Sequence, residues 1–483
     1  MSTTRYSPGV NKLTFPDGFL WGTATAAHQV EGNNSNSDWW DWETKPGTPC
    51  VEPSGAAIAH YRHFTRDIAV LAGLGFNTYR FSVEWARVEP KENFFDESEI
   101  AHYRKMVSVC HKAKIKPMVT LNHFTLPQWV ADRGGWLSER TAVHFERYVR
   151  KVVTAFGDSV EWYCTINEPG VVAYGGYLGA LGFPPGTKGL DNWNWATGQL
   201  IDAHRRALKV IKEVNPRAQV GMTHAMQEWV SNDGGRPAME YARRKGEDVF
   251  LEACGNDDFI GVQTYTRQRI DMPLAVGFAA RAALAIRPIE RILVSQMMKG
   301  VPSQVATSND GKSTQVASPE PASRTTTRAA TVPAWSDQTD PEQAAPEQAA
   351  PDALPAAPPV RTTQMGYEFR PQAIAATVRR VAELLPGKPI IVTEHGVATD
   401  NDEERIEFIT EGLKSLHALA LQGIPIKGYI HWSAFDNFEW DRGYGMHFGL
   451  IAVDRTTQER EPKPSAHFLG DVARKNRMKL PDE

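Results

Sequence analysis

Ile390-Ile391-Val392-Thr393-Glu394-His395-Gly396 is an apolar, β-branched run with a proline just before it and a glycine where it ends. That pattern predicts a parallel strand buried on both faces, with a carboxylate at its C-terminal tip. Trp162-Tyr163-Cys164-Thr165-Ile166-Asn167-Glu168-Pro169 repeats the design, again with a glutamate at the tip. Working outward, six more runs of this kind begin near Phe19, Asn77, Lys116, Ala218, Phe259 and Ile426.

One-faced helical patterns separate the runs. Ala142, Phe145, Val149, Val152 and Phe156 step by three and four. So do Ile201, His204, Leu208, Ile211 and Val214, and Ile406, Ile409, Leu413, Leu416 and Ala420. Such stripes bury one face on a sheet. Gly75, Gly157 and Gly387 fall just past helix ends, where a left-handed residue is wanted. His204, on an apolar face, reads most simply as a helix-packing histidine.

Eightfold strand–helix alternation predicts an α/β protein with a closed (β/α)8 TIM barrel. The competing open, doubly wound sheet often carries a glycine-rich turn after its first strand. Here that turn is Ala26-Ala27-His28-Gln29-Val30-Glu31-Gly32, which cradles no phosphate. Polar and aromatic groups mark nearly every strand tip, and in a barrel those tips share one mouth.

One gap breaks the rhythm. Residues 268–364 delay the sixth helix, and 303–359 are rich in Ala, Pro, Ser, Thr and Gln. That composition buries too little apolar surface to offset ordering entropy. We therefore expect a single domain over 1–483, carrying 268–364 as an insertion after strand six, with 303–359 disordered. Met272 to Met298 is apolar but broken by Arg281, Arg287, Pro288, Glu290 and Arg291, and reads as a flap beside the site rather than a membrane span.

Composition narrows the function. Hydrophobic residues make up 41% of the 483, enough for a sizeable core. Lys and Arg number 53 against 57 Asp and Glu, a net charge of -4, so no basic field exists for nucleic acid or anionic lipid. Neither nucleic-acid binding nor membrane association is expected. Cys50, Cys110, Cys164 and Cys254 lie far apart and show no metal spacing. Free thiols and the absence of an apolar leader in residues 1–11 point to the cytoplasm. Of the 14 tryptophans, many fall near strand tips, where flat faces can stack on sugar rings; Trp162 and Trp195 read as ordinary core.

Two strand-end glutamates suggest glycosidic chemistry. One carboxyl protonates the leaving oxygen; the other attacks the anomeric carbon or activates water. Strands four and seven face each other across a closed barrel. At roughly 5–5.5 Å the pair would act through a covalent intermediate. Ionised Glu394 would raise the pKa of Glu168 and keep its proton near neutral pH. Taken singly, each glutamate is more often an ordinary partner of an arginine.

The motifs FLWGTATAAHQVEG (Phe19 to Gly32), YRFSVEW (Tyr79 to Trp85), TINEP (Thr165 to Pro169), TEHG (Thr393 to Gly396) and DNFEW (Asp436 to Trp440) together resemble glycoside hydrolase family 1, the retaining β-glucosidases. Five motifs in order over nearly the whole chain outside the insertion make a specific match. The resemblance implies Glu168 as acid/base and Glu394 as nucleophile. It implies Asn167 on the sugar 2-hydroxyl, and Gln29, His123 and Glu439 on the other hydroxyls beside Trp440. Trp432 would be the stacking floor, and Arg80 and Tyr265 would steady the nucleophile. These residue types suit those roles: fixed amide donors and acceptors, a permanent cation, rigid apolar faces. The blander readings are an ion-pair partner for Arg80, a packed aromatic for Tyr265 and a turn histidine for His123.

The chain departs from the family pattern at Phe124, where Trp is usual, at Gln263-Thr264-Tyr265 for Asn-Tyr-Tyr, and at His395 for Asn. These changes leave the mechanism intact and bear on the choice among gluco, galacto and fuco sugars. Glu168 is present where myrosinase-like members carry Gln, and Glu439-Trp440 stand where phospho-glycosidases differ. A neutral β-glycoside or oligosaccharide is the expected partner, with no metal and no cofactor. A transglycosidase of the same mechanism and a non-catalytic carbohydrate-binding barrel are the alternatives.

Overall fold

The pleat of each strand divides the core in two. In a computed structural model that describes residues 12–273 and 360–480, Leu20, Met118, Cys164, Ile391 and Ile430 share one buried cluster inside the ring of strands. Their neighbours Trp21, Val119, Tyr163, Val392 and Tyr429 belong to the larger cluster under the helices. Alternate residues thus fill the pore and the jacket, as a side-chain-filled barrel requires.

The eight strands are β1 (Leu20–Ala24), β2 (Thr78–Ser82), β3 (Lys116–Asn122), β4 (Trp162–Asn167), β5 (Gln219–Ala225), β6 (Ile260–Gln263), β7 (Ile390–Glu394) and β8 (Ile426–Trp432). All pair in parallel in chain order, and β8 closes on β1, so the expected barrel is the observed fold. The main helices are α1 (His60–Leu74), α2 (Glu97–Lys112), α3 (Thr141–Phe156), α4 (Leu190–Val214), α5 (Arg236–Arg243), α6 (Ala373–Leu384), α7 (Asp402–Leu421) and α8 (Pro464–Lys475). The Asp96 carboxylate caps α2 on the backbone N–H groups of Ser98 and Glu99, and Gly75 ends α1 at φ 106°. Gly157 and Gly387 also take positive φ, 57° and 78°.

The register slips at the start of β7, between Ile390 and Ile391 against β8, and at two strand ends: between Cys164 and Asn167 on β4, and between Val392 and Glu394 on β7. The two strand-end slips lie beside the glutamates Glu168 and Glu394. Just past β7, Gly396 runs so close to β8 that an added Cβ would sit 1.8 Å from the Trp432 carbonyl oxygen.

The helix stripes hold with adjustments. All five residues of the α3 stripe are buried. On α4 the buried seam is Leu200, Ala203, His204, Ala207, Val210 and Ile211, so small alanines form much of the contact. On α7 the inward face includes Arg405, whose guanidinium is paired with Asp402 and donates to the Thr399 and His447 carbonyls at 2.7 Å. Trp195 is not core: it is 46% exposed at the start of α4, beyond the seam that Trp193 and Ala196 enter. His204 is the packing histidine expected, bridging Thr165 (2.8 Å) and Asp257 (3.0 Å).

Residues 274–359, which hold the segment expected to be disordered and nearly all of the apolar stretch read as a flap, lie outside the described residues. Their flanks are anchored. Arg267–Arg269 pairs with Glu228–Val230, and the Gln364 N–H donates to the Ala398 carbonyl at 3.1 Å. The sixth helix begins only at Ala373.

After β5 the chain is held by Glu247. Its Oε1 accepts from the Gln227 backbone N–H (2.9 Å) and the Trp229 indole (2.7 Å). Burial pushes this carboxyl up to about 8 despite those donors. A raised acid favours folding in its protonated form. Its contribution is full below the unfolded value near 4.5 and is lost as pH rises toward 8. Glu247→Gln keeps an acceptor for both donors, so the variant should melt increasingly above the wild type from pH 5 to pH 8. Melting temperatures that differ by a constant amount across that range would refute this.

Candidate active site

Arg80 on β2 reaches the centre of the mouth fully buried. Its Nη1 donates to Glu394 Oε1 at 2.5 Å and to the Thr393 carbonyl at 3.3 Å. Nη2 donates to Asn167 Oδ1 at 2.5 Å and to Thr223 Oγ1 at 3.4 Å, and Nε to Thr120 Oγ1 at 3.0 Å. One side chain therefore ties the C-terminal halves of β3, β4, β5 and β7 together. The other Glu394 oxygen accepts from the Tyr265 hydroxyl at 2.5 Å. Both oxygens of Glu394 face strong donors.

Glu168 stands differently. It follows β4 in a left-handed conformation, φ 45° and ψ 57°, an uncommon state for a residue with a Cβ. Its backbone N–H donates to the Thr223 carbonyl at 2.8 Å, and Pro169 starts a short helix behind it. Burial raises its carboxyl well above the ordinary range; the charge of Glu394 adds to this and Arg80 opposes it. Burial raises Glu394 too, and Arg80 and Tyr265 offset this only in part. Glu168 thus holds its proton more tightly than Glu394 does. The direction matches the sequence expectation, although burial rather than the neighbouring charge is the larger cause.

A second group forms the wall. Gln29 Nε2 donates to the Phe438 carbonyl (2.7 Å), to Asn437 Oδ1 (3.0 Å) and to Glu439 Oε2 (3.3 Å). Glu439 Oε1 accepts from the Trp432 indole at 3.2 Å. The His123 ring lies 5.8 Å from Trp432 and 6.3 Å from Trp440, nearly parallel to both. Burial and Arg80 drive the His123 pKa well below its usual value, so the ring is neutral. Trp440 is backed by Trp39 (4.4 Å) and by His28, stacked at 5.6 Å and 2°. His28 is itself held by Glu43 at 3.1 Å.

The ten residues singled out by sequence thus fall into two linked groups. Arg80, Asn167, Glu168, Tyr265 and Glu394 make one; Gln29, His123, Trp432, Glu439 and Trp440 make the other. Asn167 Nδ2 joins them at 3.1 Å from His123 Nε2. Sequence reasoning missed Thr120, Thr223, His28 and Asn437. Asn437 lies inside the quoted DNFEW motif and His28 inside FLWGTATAAHQVEG, which is the only signal they gave. Of the departures, Phe124 packs on Trp440 at 5.0 Å and Gln263 reaches Asn167 at 2.9 Å. Thr264 and His395 turn away: Thr264 meets Thr377 of α6 (2.8 Å), and His395 meets the Tyr429 hydroxyl (3.0 Å) and stacks on Phe408 of α7 (4.5 Å). Neither can influence the choice of sugar by direct contact.

Among the described residues one set, His204, Cys254 and Asp257, has the donor types for a metal ion. His204 is already saturated by Thr165 and Asp257, and the second Asp257 oxygen accepts the Met222 N–H at 3.0 Å. These bonds account for the cluster without an ion. The mouth itself offers one carboxyl that keeps its proton, one held by a permanent cation, and flat aromatic walls. That set suits proton donation and nucleophilic attack on a ring-shaped polar molecule.

A family model described as glycosyl hydrolase family 1 matches residues 11–478. Thermostable beta-glucosidase B of Thermobispora bispora is 30% identical over 98% of this chain and 93% of its own. The bifunctional beta-D-glucosidase/beta-D-fucosidase of Bifidobacterium breve is 30% identical over 94% and 96%. The crystal structure of beta-glycosidase BGL167 superposes with a TM-score of 0.72 at 35% identity, covering 97% of this chain and 98% of that one.

The grip of Arg80 can be tested by titration. In Arg80→Met the Glu394 carboxyl loses its cation in a buried site. Its pKa should rise by about 1–3 units, read by carbon NMR of labelled glutamate. An unchanged Glu394 titration would show that Arg80 does not set its charge.

Proposed function

Because the chain belongs to glycosyl hydrolase family 1, we propose that Glu394 is the nucleophile and Glu168 the acid/base of a retaining β-glycosidase. The enzyme is of the β-glucosidase type and removes terminal non-reducing β-D-glucosyl residues. The observation that carries the assignment is the asymmetry between the two buried carboxyls. Glu394 has Arg80 and Tyr265 on its two oxygens, while Glu168 has neither hydrogen bond.

The steps follow from that asymmetry. The sugar lies against Trp432, with its hydroxyls toward Gln29, His123, Glu439 and Trp440. Glu394 attacks the anomeric carbon as Glu168 passes its proton to the glycosidic oxygen. The C1–O bond breaks and a glycosyl ester forms. Esterification removes the Glu394 charge, so Glu168 loses the Coulomb part of what raised its pKa. As a carboxylate it takes a proton from water, which attacks C1 and frees Glu394. Two inversions retain the β configuration. Asn167 donates to the 2-hydroxyl, a bond that tightens as positive charge develops at C1.

The domain reading is a single (β/α)8 glycosidase domain with 268–364 as a low-complexity insertion after strand six. No helix among the described residues is long and apolar enough to cross a membrane. A cytoplasmic location fits the free cysteines Cys50, Cys110, Cys164 and Cys254. Phe124 presents an apolar edge beside Trp440, which relaxes the choice among glucoside, galactoside and fucoside.

Glu394→Ala and Glu168→Ala should each lower kcat/KM on an aryl β-glucoside by ~10²–10⁴-fold. A 2-fluoro glucoside should leave a covalent adduct on Glu394 by peptide mass. Wild-type rates in either variant, or an adduct on another residue, would sink the assignment. Phe124→Trp restores an indole donor and should raise the glucoside-to-galactoside ratio of kcat/KM by about fivefold, the worth of about 1 kcal/mol. An unaltered ratio would remove Phe124 from specificity.

A further inference from the structure

We propose that Gln263 is a positioning residue that, beside Arg80 and Thr223, holds the Asn167 amide rigidly in one orientation, and thereby keeps its N–H aimed at the sugar 2-hydroxyl. The inference rests on the reading of Asn167 given above. A side-chain amide can sit in either of two orientations, and its neighbours decide which. Arg80 carries donors only, so the Asn167 atom 2.5 Å from Nη2 must be the carbonyl oxygen. Thr223 Oγ1 adds a donor to that oxygen at 3.0 Å. Gln263 lies 2.9 Å from it and must present its NH2, because oxygen facing oxygen would repel. Three donors then converge on Oδ1 and leave Nδ2 to point the other way. There it donates to His123 Nε2 at 3.1 Å and keeps one hydrogen for substrate. His123, neutral and accepting at Nε2, carries its own proton on Nδ1.

Gln263 is the specific member of the three. Arg80 also holds Glu394, and Thr223 also lies within reach of Arg80 and the Ile166 carbonyl. The Gln263 amide donates to Asn167, and its own Oε1 is buried with no partner among the described residues. A side chain serving packing alone would be better as a methionine of similar length, because a buried carbonyl without a partner is destabilising. Gln263 also stands opposite Glu394 in the β6–β7 register. It reaches from beside the nucleophile to the residue that would hold the 2-hydroxyl, and so couples the two.

The test compares substrates that differ only at C2. Gln263→Met should lower kcat/KM on an aryl β-glucoside by about tenfold, chiefly through kcat, because the 2-hydroxyl bond strengthens in the transition state. On the matching 2-deoxy-β-glucoside the same variant should lose less than about twofold, the scale of no missing bond. Gln263→Leu, which also lacks a donor, should show the same pattern and serves if the methionine variant does not fold. Equal losses on both substrates would mean a general structural role and overturn the proposal. A wild type that handles the two substrates equally well would instead overturn the Asn167 reading on which it rests.

Discussion

A single buried guanidinium governs this mouth. Arg80 is fully buried, so its charge must be met by protein. It is met by Glu394 at 2.5 Å and by neutral oxygens from Thr120, Asn167, Thr223 and the Thr393 carbonyl. Every one of those atoms sits in the C-terminal half of a strand. The arginine can be paired only if the strands close in the right order and at the right heights. Closing the barrel and pairing Glu394 with a cation are therefore one event.

The rest of the site is graded around that cation. Glu394 lies in direct contact with it. Asn167 is held by it but uncharged, and His123 is kept neutral partly by it. Glu168 feels its attraction without touching it, and burial wins there. One positive charge thus distinguishes two chemically identical side chains, Glu394 paired with it and Glu168 not. No second cation is needed.

Much of this was visible in the sequence. Each strand announces itself by an apolar run, and the glutamates and aromatics at the tips converge because parallel strands end on one face. Contacts between side chains were less legible. Gln263 showed itself only as a departure from a pattern, because nothing in a linear string says that its amide crosses to Asn167. Helix faces drifted where alanine or a paired arginine did the packing: Ala203 and Ala207 on α4, Arg405 on α7. Trp195 looked like core by residue type alone, yet its position at the start of α4 leaves it in solvent. His395 is the instructive error. Its place beside Glu394 suggested a share in sugar choice, but it faces the helix layer.

The reason His395 faces outward and Glu394 inward is a matter of odd and even. Ile391 points into the pore, so strict alternation would send residue 393 inward, 394 outward and 395 inward again. The imidazole would then occupy the mouth and the carboxylate would lie against α7. Cys164 and Asn167 pose the same parity problem on β4, since both face the pore three positions apart. The slips recorded on each strand absorb one step and reverse the phase. Two local faults in periodicity, one on each side of the ring, turn residues that the pleat would hide into a pair that looks at a common centre.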